Sequence, residues 1–226
     1  MGNRKISFAE GEFYHVYNRG VDKREIFTDD YDTQRFLQSM KVFNAKDAVG
    51  SIYEHEQRHK NLEVEHPNLD KNTDTDTNTD RLVNVIAYCL NPNHFHLLLE
   101  QVSENGISQF MQRIGGGYTM YYNEKHERSG ALFQGRFKAS HVQNNEYLLH
   151  LSAYINLNDR VHQLGGGTSR SSWGEYVDGW SGPCKKDVVL SQFKSLRDYA
   201  TFAEDALGIM QARKKEEKDV SDLVLE

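Results

Sequence analysis

The chain has 226 residues, 38% of them hydrophobic, with a net charge of −6 and a mean hydropathy of −0.73. That length allows one large domain or one domain with an appendage, and no apolar run reaches the ~20 residues of a membrane span. The negative charge runs against the basic surface usual for a nucleic-acid binder, although acids crowd into residues 54–80 and the tail after Glu204, leaving the stretch from Arg113 to Lys138 locally basic.

The opening residues lack the apolar core of a signal peptide, and Ile6 stands where a myristoylation signal needs Ser or Thr. Cys89 and Cys184 are the only cysteines. Two cysteines make no disulfide framework, so a reducing cytoplasm is expected, with Cys89 a buried thiol.

In chain order, residues 12–20 alternate apolar or aromatic side chains with polar ones and predict a first strand ending at Gly20. Asp29 and Asp30 are N-cap candidates for a helix carrying Tyr31, Phe36, Leu37, Met40 and Phe43 at helical spacing. Residues 54–80 are polar and acidic, with a TDTDTNTD repeat, and predict a flexible insertion. Residues 82–90 predict a strand, Asn91, Pro92 and Asn93 a turn, and residues 94–101 the returning strand. A helix is predicted over 107–123. Its run Gly115, Gly116, Gly117 costs about 1 kcal/mol per glycine relative to Ala, which points to a kink or to a backbone that something approaches closely. Residues 131–142 read as a turn and strand, and 146–157 as a helix. Gly165 to Gly167 begin a looser region. Residues 188–207 predict one or two short helices, with the charged end from Lys214 fraying.

Two patterns carry chemistry. His94 and His96 lie two apart on a predicted strand, so both rings share a face and can reach one divalent ion. Two half-buried histidines bonded to neighbours is the bland alternative. Tyr154 and Asn158 lie one helical turn apart. A phenol of ordinary pKa about 10 needs help to act as a nucleophile, and an amide oxygen suits Mg²⁺ or Mn²⁺. Together they suggest metal-assisted attack by tyrosine on a phosphodiester. With 12 tyrosines in the chain, a plain core role for Tyr154 stays open on chemistry alone.

Four segments resemble the single-tyrosine HUH transposases, especially the REP-associated tyrosine transposases: residues 13–27 (FYHVYNRGVDKREIF), 87–100 (AYCLNPNHFHLLLE), 107–139 (ISQFMQRIGGGYTMYYNEKHERSGALFQGRFKA) and 147–161 (YLLHLSAYINLNDRV). The resemblance implies an α+β, ferredoxin-like sandwich: an antiparallel sheet with helices on one face, plus a helical C-terminal extension. It implies a transposase domain over residues 1–162 and an extension over 163–226. His94 and His96 match the metal-binding pair, Asn158 the amide ligand and Tyr154 the nucleophile, with Mg²⁺ or Mn²⁺ as cofactor. The implied reaction cleaves and rejoins single-stranded DNA at hairpin-associated sites, such as REP-like or insertion-sequence ends, through a 5′-phosphotyrosine intermediate. A domesticated, non-catalytic hairpin-binding protein is the alternative. Asp159 replaces a proline common in the family. Candidate DNA contacts are Arg19, Lys23, Arg24, Arg113, Tyr118, Tyr122, Asn123, Gln134, Arg136 and Lys138, the aromatics offering faces for unpaired bases. A cytoplasmic, nucleoid-associated protein without membrane contact is expected, with a homodimer left open.

Overall fold

The computed structural model describes residues 6–47, 50–55, 57, 81–164 and 168–223. The predicted insertion at 54–80 lies almost wholly outside these, as do Gly165 to Gly167. Among the described residues no helix is long and apolar enough to cross a membrane.

The strands are β1 (Phe13–Arg19), β2 (Val83–Asn91), β3 (His94–Gln101), β4 (Lys138–His141) and β5 (Arg170–Ser171). They form one sheet in the order β4-β1-β3-β2-β5, every pairing antiparallel. The helices are α1 (Asp30–Val42), α2 (Gly106–Lys125), α3 (Asn145–Asn156), α4 (Asn158–Val161), α5 (Trp173–Val177), α6 (Asp187–Leu190) and α7 (Leu196–Leu223). The first four strands with α1 and α2 make the ferredoxin-like β-α-β-β-α-β unit: β1 and β2 are separated in the sheet by β3, so α1 must cross one face to connect them.

Local sequence accounts for the helix starts. Asp29 accepts the Asp32 backbone N–H at 3.0 Å and Asn144 that of Tyr147 at 2.8 Å, each satisfying an orphan donor of a first turn. At α7, the Ser195 hydroxyl accepts from the Asp198 backbone N–H.

On one face, Tyr14, Val16, Val85, Leu90, Phe95, Leu97 and Leu99 pack with Phe36, Met40, Phe110, Ile114 and Tyr118 of α1 and α2. The opposite face is covered too, which corrects the expectation of helices on one face alone. Ile86, Ala87, Cys89 and Leu98 pack there with Leu148, Leu151 and Ile155 of α3, Tyr176 of α5 and Tyr199, Ala203 and Ala206 of α7. The physical reason lies in β2, whose residues are buried along its whole length. A strand apolar on both faces needs cover on both. A register irregularity between Val85 and Ala87 turns both Ile86 and Ala87 toward the second face, as a bulge does.

A buried polar network ties α3 to the sheet and to α7. Tyr199 Oη accepts from Asn156 Nδ2 at 2.8 Å and bonds Ser152 Oγ at 3.2 Å. Ser172 Oγ donates to Asn156 Oδ1 and accepts the Tyr88 backbone N–H at 3.0 Å. The charged end from Lys214, expected to fray, continues as α7 through Leu223.

The glycine run is explained by approach and not by a kink, since α2 is continuous. A Cβ on Gly117 would stand 2.7 Å from the Phe43 ring, whereas Gly115 and Gly116 face open space. Gly117→Ala should lower stability, overpacking costing about 1–3 kcal/mol. Gly115→Ala and Gly116→Ala should each raise it by about 0.5–1 kcal/mol. Urea midpoints of the three single variants decide this.

Candidate active site

The pleat of β3 places His94 and His96 on the face beneath α3 and sends Phe95 to the other, where it is 2% exposed and packs against Phe36. Antiparallel register then decides their neighbours. His94 lies opposite Asn91 of β2 and Arg19 of β1; His96 lies opposite Cys89 and Tyr17.

His94 Nδ1 is 2.6 Å from Asn93 Oδ1. An amide oxygen only accepts, so the proton sits on Nδ1 and the Nε2 lone pair is left for the site. That nitrogen is 3.4 Å from Asn158 Oδ1, an acceptor facing an acceptor. Asn91 Nδ2 reconciles them, 3.0 Å from His94 Nε2 and 2.7 Å from Asn158 Oδ1. His96 Nδ1 is 2.8 Å from His15 Nε2. Donation from His96 leaves its Nε2 lone pair open, the arrangement a metal-binding imidazole uses. Burial lowers the pKa of His94, and of His96 well below its ordinary value; it takes His15 and His162 to about 4. All four rings are neutral at pH 7, as ligand imidazoles must be.

Tyr154 projects from α3 toward the pair, its ring edge-on to His96 at 5.8 Å and to His15 at 6.3 Å. Burial raises its pKa, so the phenol is protonated at rest. The predicted helix end is adjusted: α3 stops at Asn156 and Leu157 leads into α4. The Leu157 N–H still bonds Ala153 O at 3.0 Å, so the turn stays tight and Asn158 remains beside Tyr154. A cavity of about 240 Å³ opens next to Tyr154, lined by His15, Tyr147, His150, Leu151, Tyr154 and Met210.

The donor set fits a divalent cation. Asn158 is fully buried, and its Nδ2 has no partner, an omission that costs about 1–3 kcal/mol. The side chain accepts that cost to aim Oδ1 at His94. Among the described residues no three His, Cys, Asp or Glu side chains gather to hold a metal; the third donor here is an amide.

The predicted DNA contacts divide. Exposed Arg19, Lys23, Arg24, Gln134, Arg136 and Lys138 gather at the end of the sheet where β1 finishes, β3 begins and β4 starts. Arg19 Nε donates to Gln134 Oε1, and the backbone carbonyl of Lys23 accepts from Asn93 Nδ2 at 3.2 Å, which joins this patch to the histidine turn. The aromatic expectation is overturned for Tyr118 and Tyr122. Tyr118 is 0% and Tyr122 6% exposed; their hydroxyls donate to Ile26 O and Glu25 O. They hold the segment before α1 and offer no face to a base. Two further residues act inside the fold. Arg113 donates to the carbonyls of Ala45, Lys46 and Asp47. Asn123 donates to Gly130 O and accepts from Arg128.

Lys125 of the same basic stretch is also engaged internally, 2.7 Å from Asp32 and 2.7 Å from Asp29. The sequence reading missed His15 and His162. His15 sits two residues from Tyr17 on β1, and only the β1–β3 register reveals that it reaches His96. His162 Nδ1 accepts from Lys214 Nζ at 2.6 Å, its ring 5.6 Å from that of His94.

For Asp32, burial pushes the carboxyl pKa up, but hydrogen bonds from Lys125 and Thr28 outweigh it and the net shift is downward. A depressed carboxyl pKa stabilises the fold above the unfolded value of about 3.9 and loses that contribution as pH falls through the folded value. Asp32→Asn should therefore flatten the loss of stability below about pH 4, measured as urea midpoints from pH 3 to 7. Tyr118→Ala should cost about 3–5 kcal/mol in the same assay.

No curated protein matches the chain. A solved structure described as the REP-associated tyrosine transposase bound to a REP hairpin is similar, with 14% identity over 80% of this chain and 92% of that chain and a TM-score of 0.47. The profile of the IS200-like transposases matches residues 51–158, a span that includes the two histidines, Tyr154 and Asn158. That match agrees with the resemblance carried by the motifs.

Proposed function

We propose that the protein is a metal-dependent, single-stranded DNA endonuclease and strand transferase acting at hairpin-associated sites. The observation that carries this is the convergence, within one chain, of a protonated phenol, two neutral imidazoles and a buried amide oxygen at the foot of α3. The IS200-like profile over the same residues supports it.

His94, His96 and Asn158 would hold Mg²⁺ or Mn²⁺, which when bound polarises the phosphate and favours the phenolate. Tyr154 Oη attacks phosphorus and the P–O3′ bond breaks. The 5′ phosphate stays on Tyr154, and one net proton passes from the phenol to the released 3′ oxygen. Attack by a 3′-hydroxyl on the phosphotyrosine reverses these bonds and rejoins DNA, so the phosphodiester energy is conserved. Arg19, Lys23, Arg24, Arg136 and Lys138 neutralise backbone phosphates at the open end of the sheet, with Gln134 among them. A hairpin is the DNA form this reading favours. Residues 1–162 supply the chemistry; in the extension, 163–226, Tyr199, Ala203 and Ala206 of α7 back the tyrosine helix.

The test uses 5′- and 3′-labelled hairpin oligonucleotides on denaturing gels, with Mn²⁺ or EDTA. A Mn²⁺-dependent protein-linked band on the 3′-side fragment is expected, and Tyr154→Phe should reduce it by at least about 10³-fold. A band undiminished in that variant would overturn the nucleophile. His15→Phe removes the partner of His96 Nδ1 and should weaken Mn²⁺ binding about 10–100-fold by calorimetry.

A further inference from the structure

Asn91 is the last residue of β2, fully buried and paired with His94 across the hairpin. Among the described residues, its amide is the one group hydrogen-bonded to both His94 Nε2 and Asn158 Oδ1. Those two atoms present lone pairs to a common point, and a donor is needed there to keep them together. The NH₂ of Asn91 stands at that point. It also explains why Asn158 turns its oxygen inward while its own Nδ2 goes without a partner: the reverse orientation would set two NH₂ groups against each other. On its other side, Asn91 Oδ1 accepts from Cys89 Sγ at 3.4 Å. A thiol is both a weak donor and a weak acceptor, so Cys89 serves either orientation of this amide. Half a turn of the amide exchanges the two atoms. It brings Oδ1 to the point where Nδ2 stands and gives Cys89 an N–H in place of a carbonyl. With three acceptors then converging, only a cation satisfies them.

We propose that Asn91 is a switchable member of the metal site. Its Nδ2 holds His94 and Asn158 in place when no ion is present, and its Oδ1, rotated inward, joins them as a ligand to a divalent cation. This rests on the metal-site reading above and adds to it a residue outside the three expected ligands.

The experiment measures Mn²⁺ binding to the full chain without DNA, by calorimetry and by the paramagnetic resonance of free Mn²⁺. Wild type, Asn91→Asp and Asn91→Leu are compared, with His94→Ala as the control for the site itself. Asn91→Asp is nearly isosteric and presents oxygens in either orientation. It should bind Mn²⁺ at least about tenfold more tightly, while Asn91→Leu should bind at least about tenfold more weakly. Asn91→Asp should also melt lower than wild type without metal, because its carboxylate repels the two acceptors. Mn²⁺ should raise its melting temperature by more than it raises that of wild type. That pattern is not produced by a purely structural asparagine. Should Asn91→Leu fail to fold, the Asp variant decides alone. Wild-type binding that is lost in His94→Ala but unchanged within twofold in Asn91→Asp overturns the role of Asn91 and leaves the three-ligand site standing. No Mn²⁺ binding by wild type overturns the metal-site reading, and the proposal with it.

Discussion

Successive side chains of β3 point to opposite faces, and both halves of the molecule hang on that alternation. Phe95, Leu97 and Leu99 enter the layer beneath α1 and α2, while His94, His96 and Leu98 face α3. A slip of one residue in register would exchange the two sets, putting imidazoles into an apolar core and aromatics against Tyr154. The two-residue turn at Pro92 and Asn93 holds the register. The Pro92 carbonyl accepts from the Ile26 and Phe27 backbone N–H groups at 2.6 and 3.0 Å, and the Asn93 side chain fixes the tautomer of His94. The same turn thus orients the strand and its first functional ring.

Burial gives this site its character and also its cost. Neutral imidazoles are obtained by removing water from His15, His94, His96 and His162, and their nitrogens then need partners inside the protein. The partners are largely amides and other imidazoles: Asn91, Asn93, Asn158 and His15 itself. Among the described residues no carboxylate is hydrogen-bonded to these rings, so a cation arriving here gains less from opposing charge than in an acidic site. Selectivity then depends on the placement of lone pairs.

Much of this was legible from the residues. The His94/His96 pairing followed from strand periodicity, the hairpin from its Asn-Pro-Asn turn, and the start of the first helix from Asp29. The choice of Tyr154 among the tyrosines came from motif resemblance, since nothing local distinguishes it from Tyr118. What stayed hidden depends on pairings distant in sequence. Asn91 and His15 come beside His94 and His96 only through the β2–β3 and β1–β3 registers. Tyr118, Tyr122, Arg113 and Lys125 sit in a stretch that reads as basic and aromatic, yet Ile26, Glu25, the 45–47 loop and Asp32 take up their polar atoms. Cover on the second face was hidden for a related reason: Tyr176 of α5 and Tyr199, Ala203 and Ala206 of α7 reach the sheet and α3 only through contacts distant in sequence.

The docking of α7 on α3 has a consequence for how the protein is made. The chain emerges from the ribosome in order, at about 5–20 residues per second, and both histidines are present by residue 96. The helix that carries Tyr154 has its cover only once Tyr199, Ala203 and Ala206 have been added. During synthesis the histidine pair therefore exists well before Tyr154 has a fixed seat above it. The candidate site is in this way assembled only after residue 206 has left the ribosome.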